Sequence, residues 1–197
     1  MKIKIIGITG GIASGKTTVV NEIRKNGYQV IDADQVVHDL QKKGGKLYRA
    51  LLGCFGTEIL ANDGELNRPH LSKLIFSNPQ NMTLSKSLQN SIIRQELLDR
   101  YTELSKTESV FFMDIPLLIE ENYVDWFDDI WLLFVEEETQ IERLMRRNNY
   151  SYEEAQKRIS SQMPFKEKRK YANQIIDNNG TIEETLEQIR ALLKMIV

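Results

Sequence analysis

Apolar residues fall along this chain in two rhythms. Short runs in which nearly every position is apolar, and β-branched or aromatic residues dominate, occur at residues 3–9 (IKIIGIT), 29–31 (QVI), 110–113 (VFFM) and 130–135 (IWLLFV), with a weaker fifth at 174–176 (QII). Such runs predict strands covered on both faces, hence a buried parallel sheet. Elsewhere the spacing changes to three and four. Residues 16–25 put Val19, Val20 and Ile23 on one face and stop at Asn26-Gly27, a helix followed by a C-terminal signal. Strand, helix and strand in this succession make a βαβ unit with a right-handed crossover. Later helices announce their starts with capping boxes: "SYEE" offers Ser151 and Glu154, "TIEE" offers Thr181 and Glu184. The final helix, 182–195, carries Leu186, Ile189, Leu192 and Leu193 on a stripe that closes the core.

Nearly eighty residues separate Asp32 from Val110, far more than a simple crossover needs. Asn67 ahead of "RPHLSKLIF" predicts one helix start, and Pro79 another, of a long helix reaching Lys106. Residues 34–106 therefore read as a helical excursion with a surface of its own. There are no repeats or low-complexity tracts.

Composition adds limits. With 197 residues, 41% hydrophobic and 27% charged, the chain is an ordinary globular protein, long enough for a real core. No apolar run approaches the roughly 20 residues of a membrane span. A net charge of -2 gives no whole-protein reason to expect a nucleic-acid or anionic-membrane partner. The single cysteine, Cys54, can form neither an internal disulfide nor a zinc site, which points to a reducing cytoplasm; it is expected as a small buried hydrophobe. Charge is uneven, however. Residues 143–170 hold nine Lys/Arg against three acids. That is either a solvated face or a device for holding phosphate charge.

The glycine-rich stretch between the first strand and its helix gives that choice a context. Gly10, four residues, then Gly15-Lys16-Thr17 match the P-loop pattern G-x-x-x-x-G-K-[ST], with a buried strand before and a helix after. In such a loop backbone amides turn inward around phosphate oxygens, so Gly11, Ile12, Ala13, Ser14, Gly15, Lys16, Thr17 and Thr18 are the expected ATP contacts. Lys16 reaches the β and γ phosphates and the Thr17 hydroxyl serves Mg²⁺. Ala13 fits such a loop if its φ is negative. The competing reading is a glycine-rich turn that binds nothing.

A carboxylate at the end of a neighbouring strand usually accompanies this loop on the metal. "VFFMD" supplies Asp114, unless that acid only caps the next turn. Alternation in "VIDAD" points Asp32 and Asp34 to the same side, at the carboxyl edge where open parallel sheets bind ligands. Asp34 is favoured to orient an acceptor hydroxyl and take its proton, against the alternative that both acids cap a helix. A GTPase switch would need a guanine-reading "NKxD", which is absent; "DNNG" at 177–180 follows the last strand rather than an early one. A motor or transporter ATPase has no feature here that demands it. A small-molecule kinase accounts for both excesses, with the insertion to bind an acceptor and an arginine-bearing lid to exclude water.

The chain resembles the dephospho-CoA kinase family, which is similar in fold to nucleoside monophosphate kinases. The matching stretches run in order: "TGGIASGKTT", "VIDAD", "FG" at 55–56, "DGELNR" at 63–68, "LIF" at 74–76, "DIPLLIE" at 114–120, "QIERLMRR" at 140–147, "RISSQM" at 158–163 and "IIDNNG" at 175–180. The resemblance implies an α/β, three-layer P-loop NTPase fold with a five-stranded parallel sheet. It implies a nucleotide core at 1–34, 107–137 and 171–197, a helical acceptor domain at 35–106 and a helical lid at 138–170. The implied reaction transfers the ATP γ-phosphoryl to the ribose 3′-hydroxyl of dephospho-CoA, the last step of coenzyme A synthesis, with Mg²⁺ held by Thr17 and Asp114. Asp34 then faces the acceptor hydroxyl, Lys16 and Arg143 stabilise the transferring group, Arg147 is a second lid arginine, and Asn178 approaches the adenine. Thr9, Asp34 and Leu117 are the implied acceptor contacts. A cytoplasmic monomer without nucleic-acid or membrane partners completes the expectation. One departure stands out: where members carry a His-Pro pair in the long helix, this chain has Asn90-Ser91. His38 and His70 are expected as surface or capping residues.

Overall fold

The computed structural model describes residues 3–196; residues 1, 2 and 197 of the expected core lie outside it. Strands β1 (Lys4–Gly10), β2 (Val30–Asp32), β3 (Val110–Asp114), β4 (Asp129–Phe134) and β5 (Gln174–Asp177) form one parallel sheet in the order β2-β3-β1-β4-β5. The helices are α1 (Lys16–Lys25), α2 (Ala33–Gln41), α3 (Lys46–Phe55), α4 (Arg68–Phe76), α5 (Pro79–Leu104), α6 (Glu137–Asn148), α7 (Tyr152–Ser160), α8 (Phe165–Lys168) and α9 (Ile182–Lys194). This is the expected α/β class, with all five strands within a residue or so of the apolar runs. β4 reaches back to Asp129 because a ladder uses only backbone groups; the Asp129 carboxylate meets Lys4 Nζ at 3.7 Å. Among the described residues no helix is long and apolar enough to cross a membrane.

The chain divides into two compact units, one running to Asp32 and resuming at Thr107, the other Ala33–Lys106. In the first, Ile6 and Ile8 of β1, Phe112 of β3, Trp131 and Leu133 of β4 and Ile176 of β5 meet Val19, Val20 and Ile23 of α1 and Ile189 and Leu193 of α9. Phe112 links two aromatic neighbours edge-on, Tyr28 at 5.5 Å and Trp131 at 5.2 Å, geometries that favour the ring quadrupoles. Both capping boxes form as the sequence predicts, Ser151 with Glu154 and Thr181 with Glu184. Asn149, at φ 57°, ends α6 in the left-handed conformation that lets α7 turn back on it.

α1 and α9 also share a charge pair. Arg190 Nε donates to the buried Glu22 Oε1 at 2.8 Å, and this hydrogen bond, reinforced by the guanidinium charge, holds the Glu22 carboxyl below the ordinary glutamate range. A carboxyl lowered by folding contributes stability that is complete above the unfolded value of about 4.3 and is lost as pH falls through the lowered one. Glu22→Gln should therefore melt below the unsubstituted protein at pH 7, the two melting temperatures converging as pH falls through the lowered Glu22 value. A gap that ignores pH would refute the pair's contribution.

The second unit is built of helices and short connections, with a turn at Ala61–Glu65 closed by a Leu60–Leu66 bridge. Its inward side chains include Val36 and Leu40 of α2, Leu47, Leu51 and Phe55 of α3, Ile59, Leu71 of α4 and Leu97 of α5. Cys54 is exposed, not buried as expected. α3 buries positions 47, 51 and 55, and Cys54 stands one residue off that stripe. The Asn67 side chain accepts from the exposed His70 N–H at 3.1 Å, capping α4. Asn90 and Ser91 lie on the exposed side of α5, and His38 is exposed on α2.

One expectation about the acids is corrected here. β2 ends at Asp32 and α2 begins at the next residue, so strand alternation does not extend to Asp34, which stands in the first turn of a helix. Asp32 instead pairs in register with Asp114 of β3, setting two carboxylates side by side at the sheet's carboxyl edge.

Candidate active site

Between Gly10, still paired with Leu133 of β4, and Lys16, the first residue of α1, the backbone makes a tight loop. Its carbonyls are taken up from outside. Ile12 O accepts from Gln140 Nε2 at 2.7 Å, Ala13 O from Arg143 Nη1 at 3.4 Å and Ser14 O from Asn178 Nδ2 at 2.7 Å. The Ile12 N–H is also engaged, donating to Gln162 Oε1 at 2.8 Å. Within the loop Ser14 N donates to Gly11 O, and Thr18 N to Gly15 O. Among the described residues the amides of Ala13, Gly15, Lys16 and Thr17 have no hydrogen-bond partner. Carbonyls held outward and amides left open are what an anion requires, and the amino end of α1 adds its partial positive charge. Lys16, half-buried, starts that helix.

Two glycines are dictated by this packing. A Cβ on Gly11 would lie 2.5 Å from Gln140 Nε2. One on Gly15, whose φ is +89°, would collide with Asn178 Nδ2. Ala13 departs from the expected negative φ: it sits at +60°. The left-handed region costs a non-glycine residue roughly 1–2 kcal/mol. The four side-chain hydrogen bonds on Ile12, Ala13 and Ser14, at about 0.5–1.5 kcal/mol each, outweigh that cost. Ile12 and Ala13 also pack on the Ile141, Leu144 and Ala155 cluster of α6 and α7.

A family model for dephospho-CoA kinase matches residues 4–184 of this chain. The chain belongs to the dephospho-CoA kinase family. The dephospho-CoA kinase of Streptococcus mutans serotype c is 64% identical over 193 residues, 98% of each chain. That of Streptococcus agalactiae serotype Ia is 62% identical over 193 residues, 98% of this chain and 99% of the other. In fold, the solved dephospho-CoA kinase from Campylobacter jejuni superposes with a TM-score of 0.75 at 24% identity, over 98% of this chain and 96% of that one. The chain is thus a kinase with the P-loop NTPase fold.

Within this member of the family the residues singled out from the sequence have distinct surroundings. Arg143 lies beside the loop, its Nη2 donating to Asn178 O at 2.8 Å while Nη1 reaches Ala13 O. Arg147, one turn on, is exposed and bonds its neighbour Asn148. Asn178, expected near the adenine, is buried and committed: Thr185 Oγ1 donates to its Oδ1 at 2.8 Å while its Nδ2 serves Ser14. That chain of bonds fixes the amide's orientation and makes Asn178 a brace for the loop. Thr9, expected against the acceptor, is completely buried, and its hydroxyl donates to Pro116 O at 3.0 Å, pinning the turn after β3 to β1. Leu117 of the same turn is exposed. Asp114 ends β3 in register with Ile8 of β1, Thr17 is exposed and Thr18 half-buried on the first turn of α1, and Ser14 Oγ is buried without a hydrogen-bond partner. Asp34 is exposed in the other unit, and its side chain has no hydrogen bond or ion pair among the described residues.

Sequence reasoning assigned no role to Gln140 or Gln162. The available signal was positional: Gln140 stands three residues before Arg143, on the same helix face. It also missed Lys168, 2% exposed, whose Nζ lies 2.8 Å from Glu120 Oε1 in an ion pair without hydrogen-bond alignment. In a strongly basic stretch a cation is expected to be solvated. This one lines, with Gln140, Gln162 and Phe165, a cavity of about 190 Å³ behind the loop.

Proposed function

We propose that this chain transfers the γ-phosphoryl group of ATP to the ribose 3′-hydroxyl of dephospho-CoA, giving coenzyme A and ADP. The observation that carries this reading, beside family membership, is the loop in which the carbonyls of Ile12, Ala13 and Ser14 are engaged from outside while the amides of Ala13, Gly15, Lys16 and Thr17 stay open among the described residues. In it Lys16 draws negative charge from the β and γ phosphates and Arg143 spreads a second positive charge over the transferring group, two of its five N–H donors being spent on carbonyls. Thr17 and Asp114 offer hard oxygen donors suited to Mg²⁺, and no cluster of three His, Cys, Asp or Glu among the described residues competes as a ready-made cage. Mg²⁺ bound there would neutralise phosphate charge. Asp34 accepts the proton of the acceptor hydroxyl. Residues 35–106 bind the acceptor, 138–170 act as the lid, and the enzyme works as a cytoplasmic monomer.

A coupled ADP-release assay over dephospho-CoA, AMP, UMP, CMP and shikimate tests the reading. Turnover should require dephospho-CoA, with mass spectrometry finding the added phosphate on the ribose 3′-oxygen. Turnover with one of the others alone would overturn it. Lys16→Ala should weaken nucleotide binding and lower kcat/KM about 10²–10³-fold, the loss typical of one preorganised charge-stabilising donor. Unchanged kinetics would contradict its place on the phosphates.

A further inference from the structure

We infer that Gln140 and Gln162 are positioning residues for the nucleotide, acting as two jaws on the Ile12 peptide. Gln162 comes from the turn beyond α7 and Gln140 from α6, yet they take the same residue, one by its N–H and the other by its C=O. Holding both groups of Ile12 fixes the plane of its two flanking peptides. The next residue, Ala13, is the one non-glycine of the loop with a positive φ. Released, it would relax towards the right-handed region, rotating its own amide away from the direction in which Gly15, Lys16 and Thr17 present theirs. The jaws thus keep the amides convergent before any phosphate arrives, so binding need not bear the cost of ordering the loop. The chemistry at the two positions is opposite. An N–H can only be met by an oxygen and a C=O only by a donor, so Gln162 works through Oε1 and Gln140 through Nε2.

This inference rests on the nucleotide-site reading of the loop and not on the identity of the acceptor. It predicts an asymmetry that mere packing would not produce. Gln140→Glu sets a carboxylate against a carbonyl oxygen, whereas Gln162→Glu still offers an acceptor to the Ile12 N–H; both place the same added charge beside Ile12, so the contrast isolates the hydrogen bond. Dissociation constants for ADP by titration calorimetry, and KM for ATP, should rise about tenfold or more in Gln140→Glu, Gln140→Leu and Gln162→Leu. Gln162→Glu should recover most of what Gln162→Leu loses, and KM for dephospho-CoA should stay within about twofold throughout. Equal behaviour of the two glutamate variants, or nucleotide affinity unchanged in both leucine variants, overturns the inference. Should a leucine variant fail to fold, the glutamate pair decides alone. A wild-type protein that binds ADP but does not phosphorylate dephospho-CoA would sink the proposed reaction and leave the jaws standing.

Discussion

Asp34→Asn should lower kcat for phosphoryl transfer to dephospho-CoA about 10²–10⁴-fold, the span over which a positioned general base contributes, and leave ADP affinity within about twofold. The amide keeps the size of the side chain and removes the basic oxygen, so an effect confined to kcat isolates proton acceptance from binding. Asp34 is the acid suited to this. Its side chain is exposed and uncommitted among the described residues, in the first turn of α2, two residues beyond the strand end. Asp32 and Asp114, by contrast, are half-buried neighbours in the sheet register. Single-turnover rates with saturating ATP are the measurement, since they exclude product release. A variant that turns over at the wild-type rate would strip Asp34 of the role, and one that instead loses ADP binding would move it to the nucleotide.

The elements were legible in the sequence because each rests on local chemistry. Residues 110–113 can hardly be anything but a buried strand, and Ser151 with Glu154, Thr181 with Glu184 and Asn67 before Pro69 state where helices begin. The P-loop was legible for the same reason, being one contiguous motif. What escaped depends on residues far apart in the chain meeting at one peptide. Gln140 and Gln162 lie 128 and 150 positions from Ile12, and no local pattern announces that an amide will face a particular carbonyl. The φ of Ala13 escaped likewise: the left-handed conformation is unfavourable in isolation and is held by those distant partners. Asn178 shows what a position alone does not announce, since its place after the last strand was noticed but not that its amide, bonded at both ends, braces the loop. Cys54 and Lys168 were misjudged in opposite directions, a small apolar thiol left outside and an ammonium taken in. Residue type sets a preference; the helix face on which it falls decides.

Lys168→Met should cost about 3 kcal/mol in urea denaturation, the lower end of the range for breaking a buried pair. Removing the ammonium leaves the Glu120 carboxylate uncompensated, and that carboxylate is only 18% exposed, so water relieves it in part. Replacing both partners, Glu120→Leu with Lys168→Met, should recover stability to within about 1 kcal/mol of the starting protein, because two apolar groups of similar volume avoid both desolvation penalties. The ion pair is therefore a poor device for stability alone. Its value lies in what it joins: Glu120 lies in the turn that follows Asp114, which Thr9 pins at Pro116, while Lys168 ends the short helix that follows Gln162, whose Phe165 packs on Phe134 at 4.4 Å. A buried charge is costly away from its partner, so the pair registers these two segments against each other where apolar contacts would let them slide. If that is so, the double variant, though as stable as the parent, binds ADP more weakly because Gln162 is less firmly held, and titration calorimetry reads the difference. Undiminished ADP affinity in a fully stable double variant would reduce the pair to packing, and a single variant within about 0.5 kcal/mol of the parent would show that the carboxylate is never left uncompensated at all.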